Sequence, residues 1–555
     1  MMQGVRAAAL AVGLMAAGCS VILNTAEPTQ CSANVDCDAN PSLRGRVCEE
    51  GFCVIPKLDT GPGDTPGGGP GCVDSTLCTQ ANSGKASHCA KAGGACTPWQ
   101  TPQCDFISGK DAWKDRNALV IGAIMPFTVK QVTGKALPLS YGDRIRRAIQ
   151  LGVDEVNAAE PGGIVLTTGP QRPIAVIHCD SGLDPVLAQS AFDHLTGVVR
   201  AEAIILGADE DLVAVTPRAQ KLGTALVCSD CLGPLPPVPQ AWRISPPLAL
   251  QAPMAAWRVG VLETQRKAAP DPPAVLKVAV LTEPGRAQAA FVARFMEVVR
   301  FNGKSVADNG GAFTVVTTED PLTQAVDHAA HAAAIRAFEP DVVVVAMGAN
   351  FPTHYAGDIE AGWPAGKPKP SYVITGLNYD LDTFTSLLKP SAEDLRRRIS
   401  GTRSAFEQHL QDNIDAFEQR YLPPNNYIPS SGNWSGYEAF YALLYAIVAG
   451  SAGGDLDGPH FSAGFARLRQ GPDIDLGPAD FGLGRSLLGQ PNGTINVRGF
   501  WSELDWNLAT HDLDGDASMF CFQRVGGALT IKRDAGPRFV ASTGQVSNAN
   551  AYACE

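Results

Sequence analysis

Short apolar runs alternate with amphipathic helices in the first half of the chain. Four of these runs are predicted strands, at Leu119–Met125, Ile174–Cys179, Ala203–Leu206 and Ala225–Cys228. Because these strands have no polar face, the pattern indicates a parallel sheet covered by helices on both sides. Ligands bind such sheets at the carboxyl ends of the strands, so functional residues are expected just beyond those ends.

The same alternation restarts in the second half of the chain. Apolar strands are predicted within Val275–Glu283, Pro340–Gly348 and Ser371–Gly376, with helices between them. Asp184-Pro185 illustrates a helix start, since an Asp cap is followed by Pro at the first helical position. The pattern therefore predicts two α/β lobes in series, each built on a Rossmann-like parallel sheet.

Composition narrows the class of protein. The 555 residues exceed what one hydrophobic core supports, and 45% hydrophobic with 18% charged residues is typical of globular chains. The formal net charge is -12. This balance argues against a nucleic-acid partner, because neutralising phosphates requires clustered Lys and Arg.

The amino terminus has the features of an export signal. One positive charge precedes an apolar run too short to span a bilayer, so residues 1–18 are predicted to be a signal peptide. Ala16-Ala17-Gly18-Cys19 is similar to the bacterial lipobox, which implies cleavage before Cys19 and a lipid on its thiol. The mature protein would then be anchored in the cell envelope, facing the periplasm or the exterior. Ser20 favours the outer membrane in a Gram-negative cell. The alternative is an ordinary secretory signal.

Fifteen cysteines indicate an oxidising compartment. We expect a tether at 19–30, a Cys-rich module at 31–56, a Gly/Pro linker at 57–71, a second Cys-rich segment at 72–116 and a two-lobed domain at 117–555. The Cys-rich parts are expected to form a disulfide-rich stalk, and their spacings do not match a zinc site. The segment 72–116 holds five cysteines, an odd number. We therefore predict that one of them bonds to the sheet domain.

The order of local phrases from about Asn117 to Gln523 resembles the type 1 periplasmic binding proteins, in particular the branched-chain amino-acid-binding branch. The matching phrases include IGAIMPFT, YGDRIRRAIQLGVDEVNAAEPGGI, HCDSGLDP, TPRAQKLGTALV, WRISPP, VAVLTEPG and VRGFWSELDW. The resemblance implies two lobes joined by a multi-strand hinge that close over a small solute. Lobe 1 would comprise about 117–250 and 434–555, and lobe 2 about 251–433. The crossings between them would lie near Pro247, near Ile399–Ser404 and before Tyr437.

The expected ligand-binding residues are those that follow the predicted strands. They are Phe127, Thr128, Asp180, Ser181, Ala208, Asp209, Ser229, Asp230, Glu283, Asn350, Phe351, Asn378 and Tyr379. Ser229 stands where the resemblance implies a hydroxyl that binds a carboxylate. The acidic run Asp209–Asp211 departs from that pattern, because it would repel a carboxylate. A cationic or neutral polar ligand fits these acids better, unless they only cap the next helix.

Other motifs add little chemistry. Cys228-Ser-Asp-Cys231 permits a redox pair, but a structural disulfide with Cys179 as one partner is preferred. His328 and His331 share one helix and offer possible metal ligands, although a solvated helix face is the simpler interpretation. No Gly-x-Ser-x-Gly, Walker or His-Glu-x-x-His motif is present. The chain is therefore not expected to be an enzyme or to carry a cofactor or metal.

The resulting hypothesis is an extracytoplasmic lipoprotein that binds a small polar solute, an amino acid or similar, between its lobes for an ABC transporter. The alternative is a regulator or sensor on the same fold that binds a cell-envelope protein, such as an activator of cell-wall synthases.

Overall fold

The computed structural model describes most of the chain. The described residues are 47–49, 52–54, 72, 74–89, 94–130, 136–166, 169–320, 324–379, 381–405, 408–425, 431–451, 458–500, 503–513, 515–549 and 551–554. The predicted signal peptide, Cys19, tether and linker lie outside these residues. Contacts divide the chain into residues 1–60 and 61–555. In the first unit, two strands, Val47–Glu49 and Phe52–Val54, pair antiparallel.

The described elements are numbered in chain order. The strands are β1 (Val47–Glu49), β2 (Phe52–Val54), β3 (Ser87–His88), β4 (Thr97–Pro98), β5 (Phe106–Ser108), β6 (Leu119–Met125), β7 (Thr128–Lys130), β8 (Ala136–Pro138), β9 (Ile164–Val165), β10 (Gln171–Arg172), β11 (Ile174–Asp180), β12 (Ala203–Leu206), β13 (Ala225–Cys228), β14 (Ala241–Arg243), β15 (Val278–Thr282), β16 (Phe313–Thr317), β17 (Val342–Ala346), β18 (Ser371–Ile374), β19 (Ile399–Ser404), β20 (Asp473–Asp475), β21 (Asn496–Arg498), β22 (Ala517–Val525), β23 (Ala528–Lys532), β24 (Arg538–Val540) and β25 (Gln545–Ser547). The α-helices are α1 (Ser75–Ala81), α2 (Ser140–Ala159), α3 (Pro185–Asp193), α4 (Asp209–Leu222), α5 (Ala252–Lys267), α6 (Arg286–Val298), α7 (Val306–Asn309), α8 (His328–Phe338), α9 (Ala356–Ala361), α10 (Leu381–Thr385), α11 (Glu393–Arg398), α12 (Gln408–Asn425), α13 (Ser431–Ser451), α14 (Gly458–Ala466) and α15 (Pro478–Leu488).

The first sheet has six strands in the order β14-β13-β12-β6-β11-β5, and the five strands from β14 to β11 run parallel. Every residue of β6 is buried, as the absence of a polar face predicts. Helices α2 and α13 cover one face, and α3 and α4 cover the other. Asp184 caps α3 by accepting from the amides of Val186 and Leu187, and Pro185 is its first residue, as predicted.

The second Cys-rich segment is built into this first lobe. Disulfides join Cys72 to Cys89, Cys78 to Cys96 and Cys104 to Cys179. The third bond confirms the predicted bridge from this segment to the sheet domain. The boundary predicted at residue 117 is wrong, because β5 forms the antiparallel edge of the first sheet against β11. Trp99 and Trp113 are buried in the same core, so this segment is part of the lobe rather than a stalk.

The second sheet has nine strands. Its order is β16-β15-β17-β18-β19-β22-β24-β25, with β23 paired to β22. The strands from β16 to β19 run parallel, and β22 pairs antiparallel with β19. Helices α5 and α6 cover one face, and the π-helical turn Phe351–Tyr355 with α9 covers the other. This lobe therefore has the same layered plan as the first, with a carboxyl-terminal antiparallel extension.

The lobe boundaries differ from the prediction at two places. Helix α12 packs its apolar residues Ile414, Phe417 and Tyr421 in the core of the first lobe, although 405–433 was assigned to the second. Strands β22–β25 belong to the second sheet, although they were assigned to the first lobe. The chain therefore passes between lobes at 245–252, at 404–408 and at 513–517. Within the described residues, no helix is long and apolar enough to cross a bilayer.

Candidate functional site

The carboxyl edges of the two sheets meet across the space between the lobes. Asp209 and Glu210 begin α4 directly after β12, and Arg286 begins α6 after β15. The positive charge of Arg286 acts on both carboxyl groups. Arg286 Nη2 also donates to the carbonyl oxygen of Pro234, 2.9 Å away, in the loop after β13. Residues that follow strands of the first sheet therefore face residues that follow strands of the second.

The loop after β13 forms the closest contact between the lobes. Gly233 lies so near the start of α6 that an added Cβ would come within 2.8 Å of Arg286 Cβ and 3.1 Å of Ala287 N. Leu232 packs against the apolar core of the second lobe. Cys228 and Cys231 are bonded to each other, so the predicted pairing of this motif with Cys179 is wrong. This short disulfide loop closes one side of the cleft.

Asp209 holds that loop in place. Its carboxylate accepts from the amides of Leu232 at 3.1 Å and Gly233 at 2.9 Å. Burial raises its pKa, and the hydrogen bonds from Gly233 and Leu232 oppose that shift. Helix α4 follows Ala208, which has no side-chain capping bond, so Asp209 binds the neighbouring loop rather than capping α4 in the usual way.

Asp211 and Ser181 form a buried polar pair beneath the cleft. Ser181 Oγ donates to Asp211 Oδ2 at 3.0 Å, and both residues are almost fully buried. Burial raises the pKa of Asp211 to about 8, against the lowering effect of the hydrogen bond from Ser181. The neutral acid is therefore the main form at pH 7, and in that form its carboxyl oxygen still accepts from Ser181.

Hydrogen bonds between Asp180 and the segment Phe127-Thr128 join the carboxyl ends of β6 and β11. Asp180 Oδ1 accepts from the amides of Phe127 at 2.9 Å and Thr128 at 3.1 Å, and Oδ2 accepts from Thr128 Oγ1 at 2.6 Å. The amide of Gly182 adds a further bond at 2.9 Å. These contacts engage both carboxylate oxygens of Asp180, so its clearest role is to shape the floor of the cleft.

Tyr141 and Asp230 form the second buried acid pair. Tyr141 Oη lies 2.5 Å from Asp230 Oδ2 and 2.9 Å from the carbonyl oxygen of Gly207. Burial raises the pKa of Asp230 to about 6, and the hydrogen bond from Tyr141 opposes that rise. Above this pH, Tyr141 donates to the carboxylate. Below it, the protonated carboxyl group donates to Tyr141, and Tyr141 can donate to Gly207 instead.

Ser229 is directed into the sheet. Its hydroxyl donates to the carbonyl oxygen of Leu206 at 2.9 Å, and the residue is fully buried. The role implied for it by the family resemblance, binding a ligand carboxylate, would require this bond to break. Ser245, which was not among the predicted residues, donates to the carbonyl oxygen of Ser229 at 2.8 Å and lies 3.4 Å from Asp230 Oδ1.

The second lobe contributes an amide and a carboxylate that contact each other. Glu283 Oε1 accepts from the amide of Gly348 at 3.0 Å, and Oε2 accepts from Asn350 Nδ2 at 3.0 Å. Asn378 Nδ2 donates to the carbonyl oxygen of Met347 at 2.6 Å, while its buried Oδ1 has no hydrogen-bond partner among the residues that the structure describes. The structure thus groups Glu283, Asn350 and Asn378 at the carboxyl ends of β15, β17 and β18.

Two other predicted residues point away from the cleft. Phe351 is fully buried in the second core, with its ring 5.4 Å from that of Tyr372. Tyr379 packs edge-on against Phe520 at 5.2 Å and under the guanidinium of Arg403 at 4.3 Å. Their side chains stabilise the second lobe.

Sequence reasoning missed four contributors: Tyr141, Leu232, Ser245 and Arg286. Tyr141 lies in the first turn of α2, which follows β8 and not one of the predicted parallel strands, and Arg286 comes after Glu283-Pro284-Gly285. Their positions in the sequence were the signal that could have found them. Tyr141 and Arg286 stand in the first turn of a helix that follows a strand, and Leu232 directly follows the disulfide-bonded Cys231.

Two surface cavities of about 570 Å³ lie elsewhere, one lined by residues that include Trp257 and Phe539 and the other by residues that include Asp154.

The fold and the facing strand ends define a two-lobed solute-binding protein. Residues 120–497 match a family model described as periplasmic binding protein. Because this match spans more than half of the chain, the protein belongs to the periplasmic binding protein family, of type 1. The members of this family are solute-binding proteins rather than enzymes.

Solved structures agree with that fold. A solute-binding protein of an ABC transporter from Rhodopseudomonas palustris BisB5, in complex with 3,4-dihydroxy benzoic acid, is 17% identical, with 74% of this chain and 95% of that chain covered and a TM-score of 0.52. A fatty acid ABC transporter substrate-binding protein from Thermomonospora curvata is 15% identical, with 80% and 96% covered and a TM-score of 0.52. The branched-chain amino acid transporter substrate-binding protein LivJ from Streptococcus pneumoniae, in complex with isoleucine, is 15% identical, with 75% and 98% covered and a TM-score of 0.50. At these identities the similarity establishes the fold alone. None of the curated protein sequences matches the chain.

Proposed function

We propose that this protein is an extracytoplasmic solute-binding lipoprotein that captures a small polar ligand between its lobes for an ABC transporter. The observation that carries the proposal is the convergence of polar side chains from both sheets at their facing carboxyl edges. The ligand class that fits this site best is a small solute with an ammonium or other cationic group, such as a basic amino acid or a polyamine.

The charge balance of the site supports a cationic ligand. The first lobe contributes Asp209, Glu210 and Asp230, and the second contributes Glu283. Two cations act on Asp209: Arg243, which is fully buried and pairs with Asp512, and Arg286, whose guanidinium already donates to a backbone carbonyl. An ammonium group would find hydrogen-bond acceptors of the opposite charge here, whereas a carboxylate would be repelled.

Capture requires the lobes to separate first. The contact of Leu232 and Arg286 with the opposite lobe closes one side of the cleft. A ligand that touches both lobes stabilises the closed arrangement because it binds that arrangement more tightly than the open one, and only to that extent. The three chain crossings between the lobes supply the hinge for this movement.

A thermal-shift screen of the purified full-length protein tests the ligand class. We expect arginine, ornithine or putrescine to stabilise the protein, by about 2.7 kcal/mol when the ligand is present at a hundredfold excess over Kd. Leucine and benzoate serve as neutral and anionic comparisons. Asp230→Asn should weaken the response to the cationic ligand by tenfold or more in Kd, because it removes a buried acceptor of opposite charge. Asp473→Asn is the matched control, since Asp473 is an exposed first-lobe carboxylate on β20 that pairs with Arg498.

The outcomes separate the proposals. Stabilisation by leucine or benzoate but by no cation would keep the solute-binding function and reject the cationic ligand. No response to any solute, together with recovery of a cell-wall synthase by pull-down, would favour the regulator hypothesis instead.

The anchoring part of the proposal depends on Cys19. The sequence before it is similar to a lipobox, and the second Cys-rich segment is crosslinked into the first lobe by a disulfide between Cys104 and Cys179. Residues 19–71 would then be the spacer between the lipid and the binding domain.

A further inference from the structure

A groove of about 570 Å³ runs along one face of α5 in the second lobe. Helix α6 forms one wall of this groove, and the hairpin of β24 and β25 forms the other. Ala256, Trp257, Gly260 and Val261 line it from α5, and Phe539 and Val546 line it from the hairpin. A cavity of this size is in the range that holds a small organic molecule.

Helix α5 has apolar residues on two faces, and only one of the two is fully covered. Ala255 and Val259 are buried in the core of the second lobe. Trp257 and Val261, on the face that lines the groove, are only partly buried. A helix at a protein surface normally directs its apolar stripe to the core and polar side chains elsewhere. The second apolar stripe therefore offers a surface on which a further apolar group can pack.

Gly260 leaves the middle of the groove open. A Cβ added at this position would meet nothing within 4 Å, although glycine is an unfavourable residue inside a helix. Trp257 and Phe539, from opposite sides of the groove, both pack against the core that contains Met254 and Met519. The groove thus combines anchored aromatic walls with free space at its centre.

Two guanidinium groups stand at one end of the groove. Arg294 of α6 and Arg300, which follows that helix, both line the cavity. The amide of Asn302 donates to Glu263 Oε1 at 2.7 Å, which brings the chain after α6 to the carboxyl-terminal end of α5. Arg294 pairs with Glu297 at 2.6 Å, whereas Arg300 donates to backbone carbonyl oxygens at 2.8 Å. Among the described residues Arg300 has no carboxylate partner, so its charge is available to an anion.

We propose that this groove binds a small amphipathic carboxylate, with its apolar chain along α5 and its carboxylate at Arg294 and Arg300. The lining of α5 extends from Pro253 to Thr264, which at 1.5 Å per residue is about 16 Å. This length suits an extended alkyl chain such as that of a medium-chain fatty acid. Guanidinium groups bind carboxylates through short, charge-assisted hydrogen bonds. The site is separate from the cleft between the lobes and does not depend on the ligand proposed there.

Isothermal titration calorimetry with sodium decanoate, below its micelle concentration, tests the groove in the purified full-length protein. We expect one saturable site. Gly260→Leu should weaken binding by tenfold or more, because the new side chain fills the open centre of the groove. Gly482→Leu is the matched control and should leave binding unchanged. Gly482 also lies inside a helix, α15 of the first lobe, and a Cβ added there also meets nothing within 4 Å.

Three comparisons test the charge, the location and the folding of the variants. Arg300→Gln should weaken decanoate binding by tenfold or more, and decyltrimethylammonium, which carries the opposite charge on the same chain, should not bind to the groove. Asp230→Asn, in the cleft, should leave decanoate binding unchanged. Thermal melts establish that each variant folds like the parent. Because Arg300 is exposed, its variant carries the test if Gly260→Leu does not fold.

The proposal is overturned if decanoate does not bind saturably, if Gly260→Leu folds and binds it as tightly as the parent, or if decyltrimethylammonium binds equally well. Loss of decanoate binding in Asp230→Asn would place the ligand in the cleft instead. Sedimentation velocity tests the remaining occupant. A parent that sediments as a dimer and a Gly260→Leu variant that sediments as a monomer would assign the groove to a second copy of the chain, and would also overturn the proposal.

Discussion

The buried acid Asp211 makes the stability of the first lobe depend on pH. Burial raises its pKa from 3.8 to about 8 in the folded protein, whereas the unfolded chain has the ordinary value. The folded state therefore holds a proton that the unfolded state releases. The stability contributed by the neutral acid is complete below pH 3.8 and is lost progressively as pH rises through the folded pKa.

The size of the effect follows from that difference in pKa. Between pH 5 and pH 8 the unfolded chain has lost the proton and the folded protein mostly keeps it. Each pH unit in this interval lowers the free energy of unfolding by about 1.4 kcal/mol, or about 4 kcal/mol over the interval. Asp211→Asn removes this dependence, because an amide is always neutral and its oxygen can still accept from Ser181. The variant should gain about 4 kcal/mol relative to the parent as pH rises from about 5 to about 8.

Urea unfolding monitored by tryptophan fluorescence measures this gain, since Trp242 and Trp506 are buried in the first lobe. Asp143→Asn is the matched control. Burial would raise the pKa of Asp143, but hydrogen bonds from Arg147 and Arg146 outweigh it and hold the pKa below its usual value. That carboxylate stays charged across the interval, so its variant should differ from the parent by a constant amount. A stability difference for Asp211→Asn that does not change with pH would refute the reasoning.

Two further predictions follow from the second buried acid and from the amino terminus. Tyr141→Phe removes a hydrogen bond that lowers the pKa of Asp230. When binding of a cationic ligand is measured against pH, the loss of affinity at low pH should therefore begin at a higher pH than in the parent, whose Asp230 has a pKa of about 6. An unchanged pH profile would show that Asp230 does not contact the ligand. Cys19→Ser should release the protein from the membrane fraction and abolish incorporation of labelled palmitate; continued membrane association of this variant would contradict the lipid anchor.

The local pattern of the chain was sufficient to place most of the parallel strands. The runs at Leu119–Met125, Ala203–Leu206 and Ala225–Cys228 have the bounds that were predicted. This succeeds because a strand buried on both faces must be apolar at every position, which is a property of a few consecutive residues. The odd number of cysteines in 72–116 likewise required a partner outside that segment, and Cys179 is that partner.

The local sequence pattern could not predict which sheet the carboxyl-terminal strands would join. Strand β22 pairs with β19, which lies more than a hundred residues earlier in the chain. Its apolar pattern fits either sheet, and the choice depends on which edge is left open after the other strands have paired. The same holds for α12, whose apolar residues pack in the first core although their spacing in the sequence names no partner.

The chemistry of the cleft was decided by tertiary structure. The sequence pattern identified the acids after β12 and β13, but it did not show that Asp209 would bind a neighbouring loop or that Tyr141 would contact Asp230. Those roles depend on distances between residues that are far apart in the chain. Polar side chains at strand ends are set by local sequence, whereas their partners and pKa values are set by the packing that removes water around them.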